Sequence, residues 1–312
     1  KNGFFYVLDA ATGKLLSADP YVKGINWARG VDLKTGRPIV NPEADYGKTG
    51  KGAFVSPAFG GAHNWQPLSF SPQTGLVYIP AIESSYAFVA AREDDNPMGQ
   101  KLSISFAGNA EMMRRPDAQR ASAGFLLAWD PVKKKEAWRA PVEGPTGRSG
   151  GTLATAGGLV FAGNSNNGFA AYRADDGTPL WQFDAQTGVM AGPVTYEIDG
   201  EQFVAVVAGF RQTGNYYAPN YSRLLVFRTG GTQGLPEAVP FPGAALNPPP
   251  AFGTAEVLAR GEEVYGRFCS TCHGTDSRSR GMFPDLRYSG TLASADVFRT
   301  IVLEGALKQI GM

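Results

Sequence analysis

The fold is decided by a hairpin pattern that is clearest in the stretch FAAYRADDGTPLW, residues 169–181. A run of small and apolar residues comes first, a turn signal ending at Gly177 follows, and a second short run closes on Trp181. Asp and Gly tolerate the backbone of tight turns, so this pattern is typical of two antiparallel strands joined by a turn. The pattern recurs at residues 4–14, 70–78 and 126–138. From residue 1 to about 229, the sequence therefore predicts antiparallel sheet with little helix.

The spacing of these copies indicates how the sheets are arranged. Trp138 and Trp181 close two successive copies and lie 43 residues apart. This is close to the length of one four-stranded propeller blade, and a closing tryptophan is expected to dock its ring across a blade junction. The sequence therefore predicts an all-β region that forms part of a β-propeller, with an ordinary β-sandwich as the alternative.

The composition changes after this region. Residues 230–255 are rich in Pro and Gly, including the run at 248–250, and are predicted to be a semi-rigid linker. Beyond it, apolar residues recur at helical spacing up to Phe268, and a second helical pattern runs from Ser294 to about Leu307. The predicted domains are thus a propeller part at 1–229, the linker, and a small all-α domain at 256–312.

The overall charge limits the classes of partner. The 29 basic and 28 acidic side chains almost cancel, and the basic ones form no long run, so nucleic acid and anionic membrane surfaces are poor candidates. No apolar stretch reaches the roughly 18 residues of a membrane-spanning helix. The chain begins at Lys1 without a Met and stops at Met312 directly after a helical pattern, so we expect it to be truncated at both ends.

Both cysteines of the chain fall in one pentapeptide, Cys269-Ser270-Thr271-Cys272-His273. This Cys-x-x-Cys-His spacing is typical of covalent haem c attachment, in which two thiols bind the haem and the histidine coordinates the iron. A structural zinc site, a redox dithiol and a structural disulfide are the alternatives. Zinc usually has four ligands, and the one other histidine is His63 in the sheet region. A redox dithiol typically opens a helix after a strand, whereas this motif ends a helical pattern.

From Val257 to the last residue, the chain resembles the cytochrome c family. The resemblance implies that the carbonyl of Pro284 accepts the ring N–H of His273, and that Leu286 packs on the haem face. It also implies a methionine as the sixth iron ligand. Met312, which follows the second helical pattern, is assigned this role, with Met282 as the rival.

The sheet region resembles the quinohaemoprotein alcohol dehydrogenases. The matching stretches are KNGFFYVLD at 1–9, GAHNW at 61–65, FSPQTGLVYIP at 70–80 and LAWDP at 127–131. These enzymes hold pyrroloquinoline quinone (PQQ) in an eight-bladed propeller and pass its electrons to a C-terminal haem c. The resemblance implies alcohol oxidation, an external electron acceptor (a small cytochrome, a copper protein or a quinone), and a periplasmic location, because haem c is attached outside the cytoplasm.

The same resemblance assigns residues to the PQQ pocket. Lys1 contacts the quinone oxygens, Asn64 and Trp65 lie against the cofactor, and the loop at residues 188–193 brings Ala191 to it. A cation beside the carbonyl would stabilise negative charge on its oxygen. The alternatives are a Lys1 that is only solvated and a Trp65 that packs between blades. His63 is interpreted as a hydrogen-bonded structural histidine beside the pocket.

Other parts of such an enzyme are expected outside this stretch of chain. The resemblance implies that the catalytic aspartate and the calcium ligands precede Lys1, so this chain is expected not to turn over on its own. A second hypothesis is an electron carrier or binding propeller with a haem c domain and no dehydrogenase activity. An acidic residue upstream of Lys1 would distinguish the two.

Overall fold

A computed structural model describes residues 1–91, 103–116, 118, 122–142, 147–209, 221–238, 246, 249–250, 253–274, 277 and 283–310. The described residues fall into two compact units, one extending to residue 238 and one beginning at residue 246. The first unit consists mainly of strands and the second of helices. The part of the predicted linker from 230 to 238 belongs to the first unit.

Within the described residues, all strands belong to the first unit, and the second unit contains helices and 3-10 turns. The strands are β1 (Phe4–Leu8), β2 (Leu15–Pro20), β3 (Ala28–Val31), β4 (Pro38–Val40), β5 (Ala53–Val55), β6 (Ser69–Ser71), β7 (Leu76–Ser84), β8 (Tyr86–Phe88), β9 (Ser122–Asp130), β10 (Lys135–Val142), β11 (Ser149–Ala154), β12 (Leu159–Asn164), β13 (Gly168–Arg173), β14 (Pro179–Asp184), β15 (Val194–Ile198), β16 (Glu201–Ala208) and β17 (Arg223–Arg228). The helices are α1 (Tyr46–Thr49), α2 (Phe106–Arg114), α3 (Ala255–Phe268), α4 (Ser270–His273) and α5 (Ala295–Val302), with 3-10 turns at Pro42–Ala44, Leu286–Tyr288, Gly290–Ala293 and Lys308–Ile310.

Three antiparallel sheets follow each other along the chain as propeller blades. Blade 1 has the strand order β10-β9-β7-β6, blade 2 has β11-β12-β13-β14, and blade 3 has β15-β16-β17. The hairpins β1-β2 and β3-β4 and the pair β5-β8 complete the described strands. Blade 2 is a meander of sequence neighbours, whereas in blade 1 β7 pairs with β9. Both are four-stranded antiparallel sheets, which is the blade architecture that the repeat length predicted.

The hairpin turns share one local chemistry. In the turn between β1 and β2, Asp9 Oδ1 accepts hydrogen bonds from the backbone N–H groups of Ala11 and Thr12 at 3.2 and 2.8 Å. Gly13 then takes a φ of +70°, a conformation that glycine adopts without steric cost. Asp32 and Asp130 accept the equivalent bonds in their own turns. The turn residues thus act as the sequence predicted.

The two closing tryptophans dock across blade junctions. Trp138 of blade 1 donates its Nε1–H to the carbonyl of Ala174 in blade 2 at 3.0 Å, and Tyr78 of blade 1 donates to the same carbonyl at 2.8 Å. Trp181 of blade 2 meets the ring of Phe227 in blade 3 edge-on, with 5.0 Å between centroids. The docking predicted for both tryptophans is therefore confirmed.

Apolar side chains fill the spaces between and beside the blades. One cluster lies between blades 1 and 2, and another lies between blades 2 and 3. Their buried members are Leu76, Tyr78, Leu126, Ala128, Trp138, Val160, Ala162 and Ala174 in the first, and Phe169, Ala185, Val189, Val204, Val206, Ala208 and Leu225 in the second. Burial of this apolar surface is the main force that holds successive blades together.

The helices differ from the prediction in two places. The sheet region contains the helices α1 and α2, which the scarce helical periodicity there did not predict. The last helix begins where expected, with Ser294 Oγ accepting from Val297 N, but α5 ends at Val302 rather than near Leu307. Gly305 has a φ of +69°, which the helix cannot continue through. No helix within the described ranges is long and apolar enough to cross a membrane.

Candidate functional site

Lys1 is tied to the GAHNW segment through its backbone. The N–H of Ala62 donates to the Lys1 carbonyl at 2.9 Å. Gly61 has a φ of +80°, and a Cβ on it would lie 2.7 Å from the Lys1 oxygen, so this close approach requires glycine. The structure therefore brings together the first two stretches that the resemblance assigned to PQQ, and the Lys1 side chain is exposed.

His63 is hydrogen-bonded, as the sequence suggested. Its Nδ1 lies 2.9 Å from the carbonyl oxygen of Pro80 in β7. A carbonyl can only accept, so Nδ1 carries the proton and Nε2 has the lone pair. Burial lowers the pKa of His63 below its usual value, which keeps the ring neutral at neutral pH.

The next two residues present polar and aromatic groups. Asn64 is half-buried, and Trp65 is 62% exposed. Trp65 is therefore not buried between the blades that the structure describes. An exposed indole face, a half-buried amide and the Lys1 ammonium are groups suited to a flat, anionic ring with several carbonyl oxygens, which is the chemical character of PQQ.

The loop at residues 188–193 meets the segment after Trp65. The N–H of Gly151 at the start of β11 donates to the Met190 carbonyl at 3.1 Å. A Cβ on Gly151 would lie 2.7 Å from Gly192 Cα and 2.7 Å from Pro67 Cγ, so three segments touch there. Ala191 lies in this loop, but its side chain packs on the apolar cluster between blades 2 and 3. Ala191 as a whole is half-buried.

Sequence reasoning missed two contributors to this region. No sequence pattern marks the Pro80 carbonyl as a hydrogen-bond acceptor, because every residue has a backbone carbonyl. The close approach at residue 151 had a signal in the Gly-Gly pair at 150–151, which opens a strand where glycine is otherwise unfavourable.

The haem-type pentapeptide sits at a helix end in the second unit. Cys269 caps α3, and α4 follows at once, with His273 N donating to the Cys269 carbonyl at 2.9 Å. Both cysteines are free thiols, and Cys272 is exposed. Burial raises the pKa of Cys269, so its sulfur is a protonated thiol at neutral pH. One helical turn thus presents two thiols and the histidine together.

His273 has the orientation that the cytochrome resemblance implied. It is 5% exposed, and its Nδ1 donates to the Pro284 carbonyl at 2.8 Å, which leaves Nε2 as the nitrogen able to bind iron. The next residue, Asp285, is buried and accepts from Nε and Nη2 of Arg287 at 2.9 and 2.7 Å. Leu286 is half-buried. The predicted hydrogen bond between His273 and Pro284 is confirmed.

The second unit also has the apolar surface that a haem requires. Within its described residues, no large apolar side chain is buried, although α3 and α5 carry many of them. Exposed apolar surface on this scale marks a ligand-binding groove or an interface, and it fits a large flat apolar group. The exposed side chains are Leu246, Val257, Leu258, Val264, Phe268, Phe283, Val297, Phe298, Val302, Leu303 and Leu307.

Met312 and its rival Met282, the two candidates for the sixth iron ligand, both lie outside the described residues. Among the residues that are described, no three or more His, Cys, Asp or Glu side chains group in a way that could hold a metal ion.

Comparison with known proteins places these sites in context. Residues 37–204 match the family described as "Glucose/ethanol/alcohol dehydrogenase, beta-propeller domain", a PQQ family. The chain is 44% identical over its whole length to quinohemoprotein alcohol dehydrogenase ADH IIB of Pseudomonas putida, covering 45% of that protein. It is 38% identical to lupanine 17-hydroxylase [cytochrome c] of a Pseudomonas species, again over its whole length and 45% of the relative.

A solved structure shows the same relationship. The quinohemoprotein alcohol dehydrogenase ADHIIG of Pseudomonas putida superposes with a TM-score of 0.75 at 40% identity, over 92% of this chain and 43% of that one. The chain thus spans less than half the length of the relatives it matches. Since the family match covers more than half of the chain and includes blades 1 and 2, the chain belongs to the PQQ family of glucose, ethanol and alcohol dehydrogenase β-propellers.

Proposed function

We propose that the whole protein is a quinohaemoprotein that oxidises alcohols with PQQ and sends the electrons out through a covalently bound haem c. The observation that carries the proposal is the anchored His273 beside Cys269 and Cys272 at one helix end, in the same chain as a PQQ-family propeller. We propose accordingly that residues 230–255 link the propeller to a cytochrome c domain at 256–312.

The residues of the GAHNW region would bind and orient the quinone. When bound, PQQ supplies an electrophilic carbonyl that takes up hydride from an alcohol carbon. The Lys1 ammonium would stabilise negative charge on a quinone oxygen, and the Asn64 amide would donate a hydrogen bond to one. Trp65 would supply a flat wall against the ring system. Ala191 would close the pocket from the neighbouring loop.

The residues of the second unit would hold the haem and set its axial ligand. Bound haem supplies a one-electron centre, so the two electrons from an alcohol leave in turn. Cys269 and Cys272 would carry the thioether bonds, and His273 would ligate the iron through Nε2. The Pro284 carbonyl keeps the proton on Nδ1 and the ring in one orientation. Met312 is proposed as the sixth ligand.

Several further features belong to the same proposal. A calcium ion would be bound by residues other than those identified above. The catalytic aspartate would likewise be a residue other than those identified above. The periplasm is the proposed location, because haem c is attached outside the cytoplasm. An external cytochrome, copper protein or quinone would accept the electrons.

The test is haem reduction by alcohols. The whole protein, matured with haem c and loaded with calcium and PQQ, is mixed with primary alcohols or with lupanine while the haem absorption is followed. Reduction by an alcohol is expected. The double variant C269A/C272A is expected to lose covalent haem, yet still oxidise alcohol with a small-molecule dye as acceptor. A loaded protein whose haem responds to a chemical reductant and to no alcohol would instead support the electron carrier.

A further inference from the structure

The edge of β7 is completed by the segment that holds Lys1. β6 pairs with β7 only from Leu76 to Tyr78. Beyond Tyr78, the N–H of Ile82 donates to the Ala62 carbonyl at 2.8 Å, and the Pro80 carbonyl accepts from the His63 ring at 2.9 Å. Pro80 has no N–H, so this edge needs no further acceptor there.

The two backbone groups of Ala62 therefore face two different elements. Its N–H bonds the Lys1 carbonyl, and its carbonyl bonds β7. Ala62 is fully buried, which excludes water from both bonds. Lys1 is thus fixed to blade 1 through Ala62 without any contribution from the residues that follow.

Asn64 and Trp65 lack such a backbone tie. The next bond along the chain is the one from Thr152 N to the Pro67 carbonyl at 2.9 Å. Among the described residues, the hydrogen bond of the His63 ring is the only one shown for residues 63–66. Its removal would leave the four residues 63–66 held by packing alone.

We propose that His63 is a positioning residue for the PQQ pocket: its Nδ1–H bond to the Pro80 carbonyl sets Asn64 and Trp65 relative to Lys1. This inference rests on the proposed function, because it assumes that Asn64 and Trp65 bind PQQ. Binding groups held in place before the ligand arrives bind more tightly, since less ordering remains to be done.

Two substitutions separate the hydrogen bond from the bulk of the ring. His63→Leu keeps an apolar body of similar reach and removes the donor. His63→Asn keeps an N–H at the position equivalent to Nδ1, because both nitrogens are bonded to Cγ. We expect His63→Leu to weaken PQQ binding about 10-fold and His63→Asn to stay within about 3-fold of wild type, the scale of one hydrogen bond.

Tyr78→Phe is the matched control. It removes a buried bond from a side chain to a backbone carbonyl, the 2.8 Å bond to Ala174, together with the 2.8 Å bond to the Thr74 hydroxyl, and both lie away from Lys1. It is expected to lower the melting temperature at least as much as His63→Leu while leaving PQQ affinity unchanged. The affinity is measured by titrating PQQ into the whole protein with calcium present.

Hydrogen–deuterium exchange of the peptide containing residues 62–67 provides a readout without PQQ. Exchange is expected to be faster in His63→Leu than in wild type and His63→Asn. The inference is overturned if His63→Leu binds PQQ and exchanges like wild type, or if His63→Asn is as impaired as His63→Leu. A wild-type protein that binds no PQQ refutes the proposed function, and the positioning role for PQQ falls with it.

Discussion

The carbonyl of Ala174 accepts two hydrogen bonds from the neighbouring blade, and this sharing makes a specific prediction about non-additivity. Trp138 and Tyr78 both donate to it, and Ala174 is only 1% exposed. Either donor can be removed while the other still satisfies the oxygen. Removal of both leaves a buried acceptor without either side-chain donor, so the double variant should be less stable than the sum of the single ones.

The magnitudes follow from the contacts. Tyr78→Phe loses two hydrogen bonds, one to the Ala174 carbonyl and one shared with the Thr74 hydroxyl at 2.8 Å, together worth about 2 kcal/mol. Trp138→Phe loses one hydrogen bond and some buried ring area, together about 2 kcal/mol. The double variant adds the cost of an unsatisfied buried carbonyl, about 1–3 kcal/mol. We therefore expect a total loss of about 5–7 kcal/mol instead of about 4 kcal/mol.

Thermal unfolding followed by far-UV circular dichroism measures the effect. Each kcal/mol should lower the melting temperature by about 2–4 °C. The control cycle combines Tyr78→Phe with Trp181→Phe, which lies at a different blade junction and should add without coupling. If the Trp138 and Tyr78 variants also add within about 0.5 kcal/mol, the shared carbonyl does not couple them and the reasoning is refuted.

Three further predictions concern the sites. Gly61→Ala should lower both the melting temperature and PQQ affinity, because its Cβ would meet the Lys1 carbonyl, whereas Gly60→Ala, with no atom within 4 Å of its Cβ, should be near wild type in both assays. Burial lowers the pKa of His63, so its contribution to stability is fully present above about pH 6.5 and lost as the pH falls through the lower folded-state pKa. The melting temperature of wild type should fall more than that of His63→Asn between pH 6.5 and about 4.5. An equal fall in the two proteins would contradict a lowered His63 pKa in the folded state. Asp285→Asn should destabilise the helical unit by about 2 kcal/mol, seen as a lower melting temperature in the haem absorption, because it leaves a partly buried guanidinium without its carboxylate.

Local chemistry explains what the sequence predicted correctly. The hairpin turns depend on residues such as Asp9 and Gly13, which interact within a few positions of each other. The hydrogen bond from His273 to the Pro284 carbonyl was implied by the resemblance to the cytochrome c family, and it joins residues in one short segment. Trp138 and Trp181 were informative because a repeat places equivalent residues at equivalent junctions.

The missed features depend on residues distant in sequence or on backbone conformation. The contact of His63 with Pro80 exists only after β7 has paired with β9, and no local pattern marks a carbonyl as an acceptor. The early end of α5 depends on Gly305 adopting the left-handed conformation, and the hydrophobic spacing continued past it. The packing of the Ala191 side chain on blade 3 likewise follows from the tertiary arrangement.

The strand order of blade 1 has a consequence for how the chain folds. In blade 2, neighbouring strands are joined by short turns, so its contacts are local and its contact order is low. In blade 1, β7 pairs with β9 although residues 85–121, with β8 and α2, intervene. Closing this longer loop costs more entropy before any pairing compensates for it. We therefore expect blade 2 to form early as a local nucleus, and blade 1 to complete its sheet late, in the step that limits the folding rate.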